Sequence, residues 1–367
     1  MLHIKIPTRR EVIEKARAEG KKIAAIYPIH YPRELFRAFN IQPIEVWGPP
    51  KIDTKKANAH LQSYICSVVQ SGLAFYLNGK LDVADIVAVP HSCDSLQGLG
   101  SIFKDFIKPK QELITIYLPR EKNIENVEFL SNELKRIYRQ LAEFCGFEPD
   151  SEKLLEEIKK EEEIDELVAK FYRSRENLPL SSREFYTLLR AREYLTTDMF
   201  KSILNYTLLH ASSGKLKKIG VVLSGLLPEP MEILDVIDDM DGFVAIDDMA
   251  CCMRRVYGKG NSDDPFERMA ERIVNATPDP TKGNSFDERF EFIKSLMEIS
   301  GARGVVFYNV KFCEPEYFYH PILKEKLNEA EIKSIVVETD INEPISQQTT
   351  TRLMAFIEML KEDKQWD

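Results

Sequence analysis

Residues 87–100, VAVPHSCDSLQGLG, constrain the fold more than any other stretch. An apolar run closing at Pro90 reads as a buried strand, and SLQGLGSIF after it reads as the start of a helix. His91, Cys93 and Asp94 therefore fall at the carboxyl end of a strand in an open α/β sheet. That edge is where such sheets place ligands, because the chain passes from strand to helix there and lines a crevice. Residues 305–318, VVFYNVKFCEPEYF, repeat the plan: an apolar strand, a short turn carrying Cys313, then a helix. Cysteines at equivalent places in two halves of one chain point to a site shared between two lobes. The third candidate, Cys66 in AHLQSYICSVVQ, is placed within a helix spanning 59–77. Each cysteine taken singly is as well explained as an ordinary buried thiol.

The same alternation runs along both halves. KKIAAIYPIH, IQPIEVWG, ADIVAVPH and ELITIYLP read as strands of a first unit, and KKIGVVLSG, GFVAIDDM, ARGVVFYNV and IKSIVVETD as strands of a second. Helical stretches separate them, which predicts two mostly parallel, helix-covered sheets built on one doubly wound plan. At 367 residues the chain exceeds what one core accommodates. The expected division is an α/β lobe over 1–123, a helical block over 124–212 and a second α/β lobe over 213–367. Within the block, SEKLLEEIKKEEEIDELVAKFY reads as a helix with a solvated, charge-rich face. SSREFYTLLRAREYLTTDMFKSILNYTLLHA reads as one long helix or a bent pair, capped by Ser181 or Ser182 with Glu184 in the first turn.

Composition removes several function classes. Hydrophobic residues make up 44% and charged residues 30%, a soluble globular balance, and no apolar run is long enough to span a bilayer. The opening residues contain no apolar segment of the secretory kind. Net charge is −9 with no basic block, which argues against nucleic acid and gives no reason to invoke a membrane. Six cysteines without an export signal fit a reducing cytoplasm rather than a disulfide scaffold. No CxxC pair occurs, so a thiol site would have to be assembled by the fold from distant segments. Neither GxGxxG nor a P-loop pattern is present, and the chain is not expected to bind a dinucleotide or hydrolyse ATP.

Taken in order, YPRELFRAF with PIEVWG, Cys66, HSCDSLQ around Cys93, the DDM strand end with Arg254, NVKFCEPEYF around Cys313, and ETDINEPISQQTTTRLMAFIEML cover most of the chain. In this order they resemble the iron–sulfur component of 2-hydroxyacyl-CoA dehydratases and ATP-dependent benzoyl-CoA reductases. The resemblance implies two flavodoxin-like parallel-sheet lobes with a helical block between them. It implies a 4Fe–4S cluster held between the lobes by Cys66, Cys93 and Cys313. It also implies an acyl-CoA substrate, a homologous sister subunit, and a separate ATPase activator with its own iron–sulfur cluster. PIEVWGPP and HSCDSLQGLG favour the benzoyl-CoA reductase type, a low-potential one-electron reduction of an aromatic thioester. Three alternatives stay open: a 2-hydroxyacyl-CoA dehydratase subunit, a reductase with a double-cubane 8Fe–9S cluster, and a non-catalytic electron-relay subunit.

Other residues carry weaker readings. His91 and Asp94 are the candidate catalytic groups, with Gln97 and Glu314 beside them, as donors to sulfur or substrate; each is equally readable as a local cap. Cys251 and Cys252 depart from the family pattern, which more often has one cysteine near its aspartate pair. Adjacent side chains seldom point the same way, so the two are not expected on one iron centre. Arg254 and Arg255 fit a CoA phosphate or, more plainly, ion pairs with Asp247 or Asp248. Gln347, Thr351 and Arg352 fit maintenance of the closing helix. Trp47 reads as packing unless the cluster pocket opens beside it, and Cys145 reads as packing at a helix end.

Overall fold

The eight apolar runs become eight strands among the residues that the computed structural model describes, 4–362 except 213, 215 and 217. The first four are β1 (Lys22–Ile26), β2 (Ile41–Glu45), β3 (Ile86–His91) and β4 (Glu112–Tyr117). The second four are β5 (Ile219–Gly225), β6 (Gly242–Met249), β7 (Gly304–Val310) and β8 (Lys333–Thr339). Each set forms an all-parallel sheet, in the orders β2-β1-β3-β4 and β6-β5-β7-β8. These are the same order twice, a flavodoxin-like arrangement in each lobe. Every residue of β2, β6 and β7 is buried, as expected when helices cover both faces of a parallel sheet. No helix among the described residues is long and apolar enough to cross a membrane.

The segment between the sheets is helical throughout, at Ile124–Cys145, Ser151–Arg173, Ser182–Arg190 and Thr197–Leu209. Ser181 caps the third of these in a capping box with Glu184, and a short turn at Ala191–Glu193 splits the last two into a bent pair. The Ser151–Arg173 helix overturns one expectation. Its acidic face is an interior ion-pair network and not a solvated surface. Glu161 takes Arg37 at 2.6 Å and Arg192 at 2.7 Å; Asp165 takes Arg192 at 2.6 Å and Arg272 at 2.7 Å. Carboxylates and guanidinium groups complementary in position can be buried together, whereas sequence shows only the acidic half of each pair.

Contacts across the sequence tie the lobes together. The Pro265–Val274 helix, from the second half, packs on Ile124–Cys145 and on the first sheet through Met269, Ala270 and Ile273. The Asn342 side chain, past β8, donates to Ser71 Oγ at 2.8 Å and accepts from the Ile52 amide at 3.3 Å. Tyr186 donates to Asp247 Oδ2 at 2.8 Å, and Tyr172 donates to the same oxygen, fastening the helical block to β6.

Candidate active site between the lobes

Cys66, Cys93 and Cys313 occupy one kind of position three times: each is the residue immediately before a helix. Cys66 precedes Ser67–Leu77, Cys93 precedes Asp94–Ser101, and Cys313 precedes Glu314–Glu329. All three line one small cavity, together with Trp47, Leu226 and Thr281. For Cys93 and Cys313 this follows from sheet topology, since both lie just beyond strand ends, at β3 and β7. For Cys66 the structure differs from the expected 59–77 helix. A short helix, Lys55–Asn58, is followed by irregular chain, and the long helix starts only at Ser67. The cap there is an apolar thiol, which hydrophobic periodicity counts as another helix position.

The sulfurs share an electrostatic environment. Burial raises Cys66 to about 11, opposed by the amides of Val69 and Val68. Burial raises Cys93 to about 12, with the nearby Cys66 adding to the rise. Cys313 is pushed well up by burial, then by Glu316, Cys66 and Cys93. Three thiols, Cys66 and Cys313 buried and Cys93 half-buried, each at the positive end of a helix, form a pocket that becomes anionic only when a cation enters with the thiolates. That donor set fits an iron–sulfur cluster, whose irons take thiolate ligands one by one from separated positions. Among the described residues no three His, Cys, Asp or Glu side chains are grouped to hold a single metal ion.

Glu45, a residue the sequence did not single out, fixes the cavity wall. Its buried carboxylate accepts from Trp47 Nε1 at 2.8 Å, Arg255 at 2.7 Å, Arg33 at 2.5 Å and Tyr31 OH at 3.0 Å. Burial would raise its pKa, but Arg255 and Arg33 outweigh that and hold it at about 2. Arg255 also lies over the Trp47 ring, 5.2 Å from its centroid. Gly48, at φ +77°, lets this segment touch the helix behind Cys66: a Cβ there would sit 2.8 Å from Ser71 Cβ and 2.9 Å from Val68 O. On the other side, Asp248 is held by Arg254 at 2.9 Å and Arg289 at 2.5 Å. Arg254 reaches on to Glu316 at 2.6 Å, locking the first turn of the Cys313 helix.

His91 and Asp94 do not join the cysteines. Asp94 is the first residue of its helix, about 100° around the axis from the Cys93 cap, and its exposed carboxylate faces Arg120 at 3.4 Å. His91 lines a neighbouring cavity, packed edge-on against Tyr117, its strand partner in β4. Glu314 does line the cysteine cavity. Cys251 and Cys252 line a separate cavity with Tyr172, Arg192 and Arg255. Contrary to expectation their sulfurs do point the same way, 3.3 Å apart, because the turn after β6 breaks the strand alternation at Cys252. Cys145 ends its helix against Gly146 in the left-handed region and packs at the edge of the first lobe's core.

The fold and site define a two-lobed parallel α/β protein whose three cysteines, each at the residue before a helix, face one cavity between the lobes. The 2-hydroxyglutaryl-CoA dehydratase D-component family model matches residues 28–360, and the chain belongs to that family. It is 28% identical to the β subunit of (R)-2-hydroxyglutaryl-CoA dehydratase from Acidaminococcus fermentans, over 96% of each chain. It is 24% identical to the β subunit of (R)-phenyllactyl-CoA dehydratase from Clostridium sporogenes, over 96% of this chain and 95% of that one. It is 23% identical to one of the subunits of benzoyl-CoA reductase from Thauera aromatica, over 90% of each. The family model and the dehydratase relatives favour dehydration over the aromatic reduction expected from PIEVWGPP and HSCDSLQGLG.

Proposed function

We propose that this chain is the cluster-holding subunit of a 2-hydroxyacyl-CoA dehydratase, with Cys66, Cys93 and Cys313 as ligands of one 4Fe–4S cluster. The observation that carries this reading is the meeting of three cysteine-capped helix starts in one cavity. Bound there, the cluster supplies low-potential single electrons for a thioester. The chain's own residues do the rest. Helix-start amides favour charge on the sulfurs, Trp47 and Leu226 keep water from them, and Glu45 and Arg255 hold Trp47 in place. A larger cavity of about 400 Å³ shares Trp47 with the cysteine cavity. Its walls include Ile13, Ile44, Phe75 and Met231, suited to an acyl group, while its charged lining is mixed, with Arg9 paired to Glu193, Arg190 paired to Glu229, and Lys80 at the edge.

A homologous sister subunit and a separate ATPase activator with its own iron–sulfur cluster complete the proposed system; the relatives above are themselves subunits. No fourth cysteine lines the cysteine cavity, which favours one cubane over a double cubane. Iron counted per folded chain, prepared without oxygen, tests the site: about four irons are expected. Cys66→Ser, Cys93→Ser and Cys313→Ser deplete the iron, whereas Cys145→Ser retains it. Full occupancy after losing Cys93 or Cys313 defeats the assignment. With sister subunit, activator and ATP present, a 2-hydroxyacyl-CoA is converted to the enoyl-CoA. Reduction of benzoyl-CoA in its place would move the chain to the reading that the Thauera relative supports. A thioester found against the sister subunit's cluster would make this chain an electron relay.

A further inference from the structure

We propose that the small cavity beside the cysteine site binds a small monovalent oxyanion, of the size and charge of formate or bicarbonate, on Lys282, Ser92, His91 and His30. The inference goes beyond the dehydratase reading and does not depend on it. The cavity is small, and among the described residues no carboxylate lines it; of the two cations that do, Arg120 is exposed and pairs with Asp94 at 3.4 Å. Its charged wall is Lys282, 3% exposed, whose ammonium donates to the carbonyls of Ile273 at 2.7 Å and Val274 at 2.8 Å. Those carbonyls end the Pro265–Val274 helix and explain why a lysine is tolerated there, but they use two of its three N–H groups. Burial lowers the Lys282 pKa to about 8, with Asp279 pulling the other way, so the group is charged at neutral pH.

Thr281 and Arg120 around the cavity have their own partners, Asp279 and Asp94, but three further side chains carry atoms without a hydrogen-bond partner. Ser92 is 6% exposed and its hydroxyl has no hydrogen-bond partner. His30 is fully buried; its Nδ1 meets Tyr257 OH at 2.8 Å, and its Nε2 faces Asp279 Oδ2 at 3.6 Å, an ion-pair contact too long for a hydrogen bond. Neither ring nitrogen of His91 has a partner. Orphaned buried polar atoms are costly, so three such side chains around one cavity, beside the lysine, call for an occupant that hydrogen-bonds to several at once. A trigonal oxyanion does this and also neutralises the lysine. With Arg120 already paired to Asp94, Lys282 is the buried cation left to balance, and the small cavity favours a small monoanion over sulfate or phosphate. Thr281 lines both this cavity and that of the cysteines, which puts the bound charge one side chain from the proposed cluster site.

The test is thermal unfolding of the full chain, prepared without oxygen, titrated with sodium formate. Sodium gluconate, a bulky monovalent carboxylate, serves as the control at equal ionic strength. Formate raises the midpoint saturably, by about 3 °C, and gluconate does not. Lys282→Met abolishes the rise and Ser92→Ala reduces it. Equal responses to formate and gluconate would overturn the proposal and leave the cavity to water. So would a formate response undiminished in both variants. If Lys282→Met does not fold, Ser92→Ala decides, because its hydroxyl has no partner to lose in the free protein. The midpoint shift is readable whatever substrate the chain acts on, so its failure is separate from failure of the dehydratase reading.

Discussion

Arg255 reaches from the second half of the chain to Glu45 at the end of β2, 2.7 Å away, and the same carboxylate oxygen takes the indole N–H of Trp47 at 2.8 Å. One interior carboxylate thus joins the lobes and sets the wall beside the cysteines. Arg255→Met removes a neutralising partner from a buried charge and is expected to destabilise the chain by about 3–5 kcal/mol. Denaturant unfolding measures the loss, and Trp47 fluorescence changes already in the folded state. A stability within about 1 kcal/mol of the parent, close to experimental scatter for such series, would show that the pair does not hold the lobes.

Asp247 gives a pH dependence of definite sign. Burial raises its pKa from 3.8 to about 6, against the opposing hydroxyls of Tyr172 and Tyr186. A carboxyl raised in the folded state binds its proton more tightly there than when unfolded. Its contribution is therefore complete below about pH 4 and is lost as pH rises through about 6. Asp247→Asn loses stability overall by disturbing these hydrogen bonds, yet its deficit narrows by roughly 3 kcal/mol between about pH 4 and pH 7. Unfolding free energies of both proteins across that range check it; a constant or widening deficit contradicts it.

Cys251 and Cys252 line a cavity of their own. The double variant Cys251→Ala, Cys252→Ala is expected to keep the full iron content of the anaerobically prepared chain. A fall to about half would return the pair to the ligand set and revive an eight-iron centre.

Gly48→Ala introduces a Cβ against Ser71 and the Val68 carbonyl, at a backbone conformation unfavourable for L side chains. A loss of about 2–4 kcal/mol is expected from strain and overpacking together. Because the pressed helix begins at Cys66, iron retention falls as well. Gly20→Ala, also at positive φ but with open space around it, serves as the control and loses only the backbone part.

Glu316→Gln leaves Arg254 with Asp248 but weakens its hold on the Cys313 helix. The expected result is faster loss of iron on exposure to a chelator together with a lower unfolding free energy, because buried Arg254 loses a charged partner. An unaltered rate of loss would show that Arg254 does not position that cysteine.

The sequence by itself determined the strand–helix alternation, the doubling of one parallel unit, and the strand-end positions of Cys93 and Cys313. Apolar runs and their spacing are local properties, and a parallel sheet fixes where its strand ends face. Tertiary structure alone decided the rest. It placed Cys66 at a helix start because a cysteine cap looks like any apolar helix position. It buried the acidic face of Ser151–Arg173 because Arg37, Arg192 and Arg272 arrive from elsewhere in the chain. It turned Asp94 outward, since one residue along a helix start rotates a side chain by about 100°, and it kept His91 in β3 against Tyr117, beside the next cavity. Glu45 could not be picked out in PIEVWG, because its meaning lies in Arg255, brought beside it only when the two lobes close on each other.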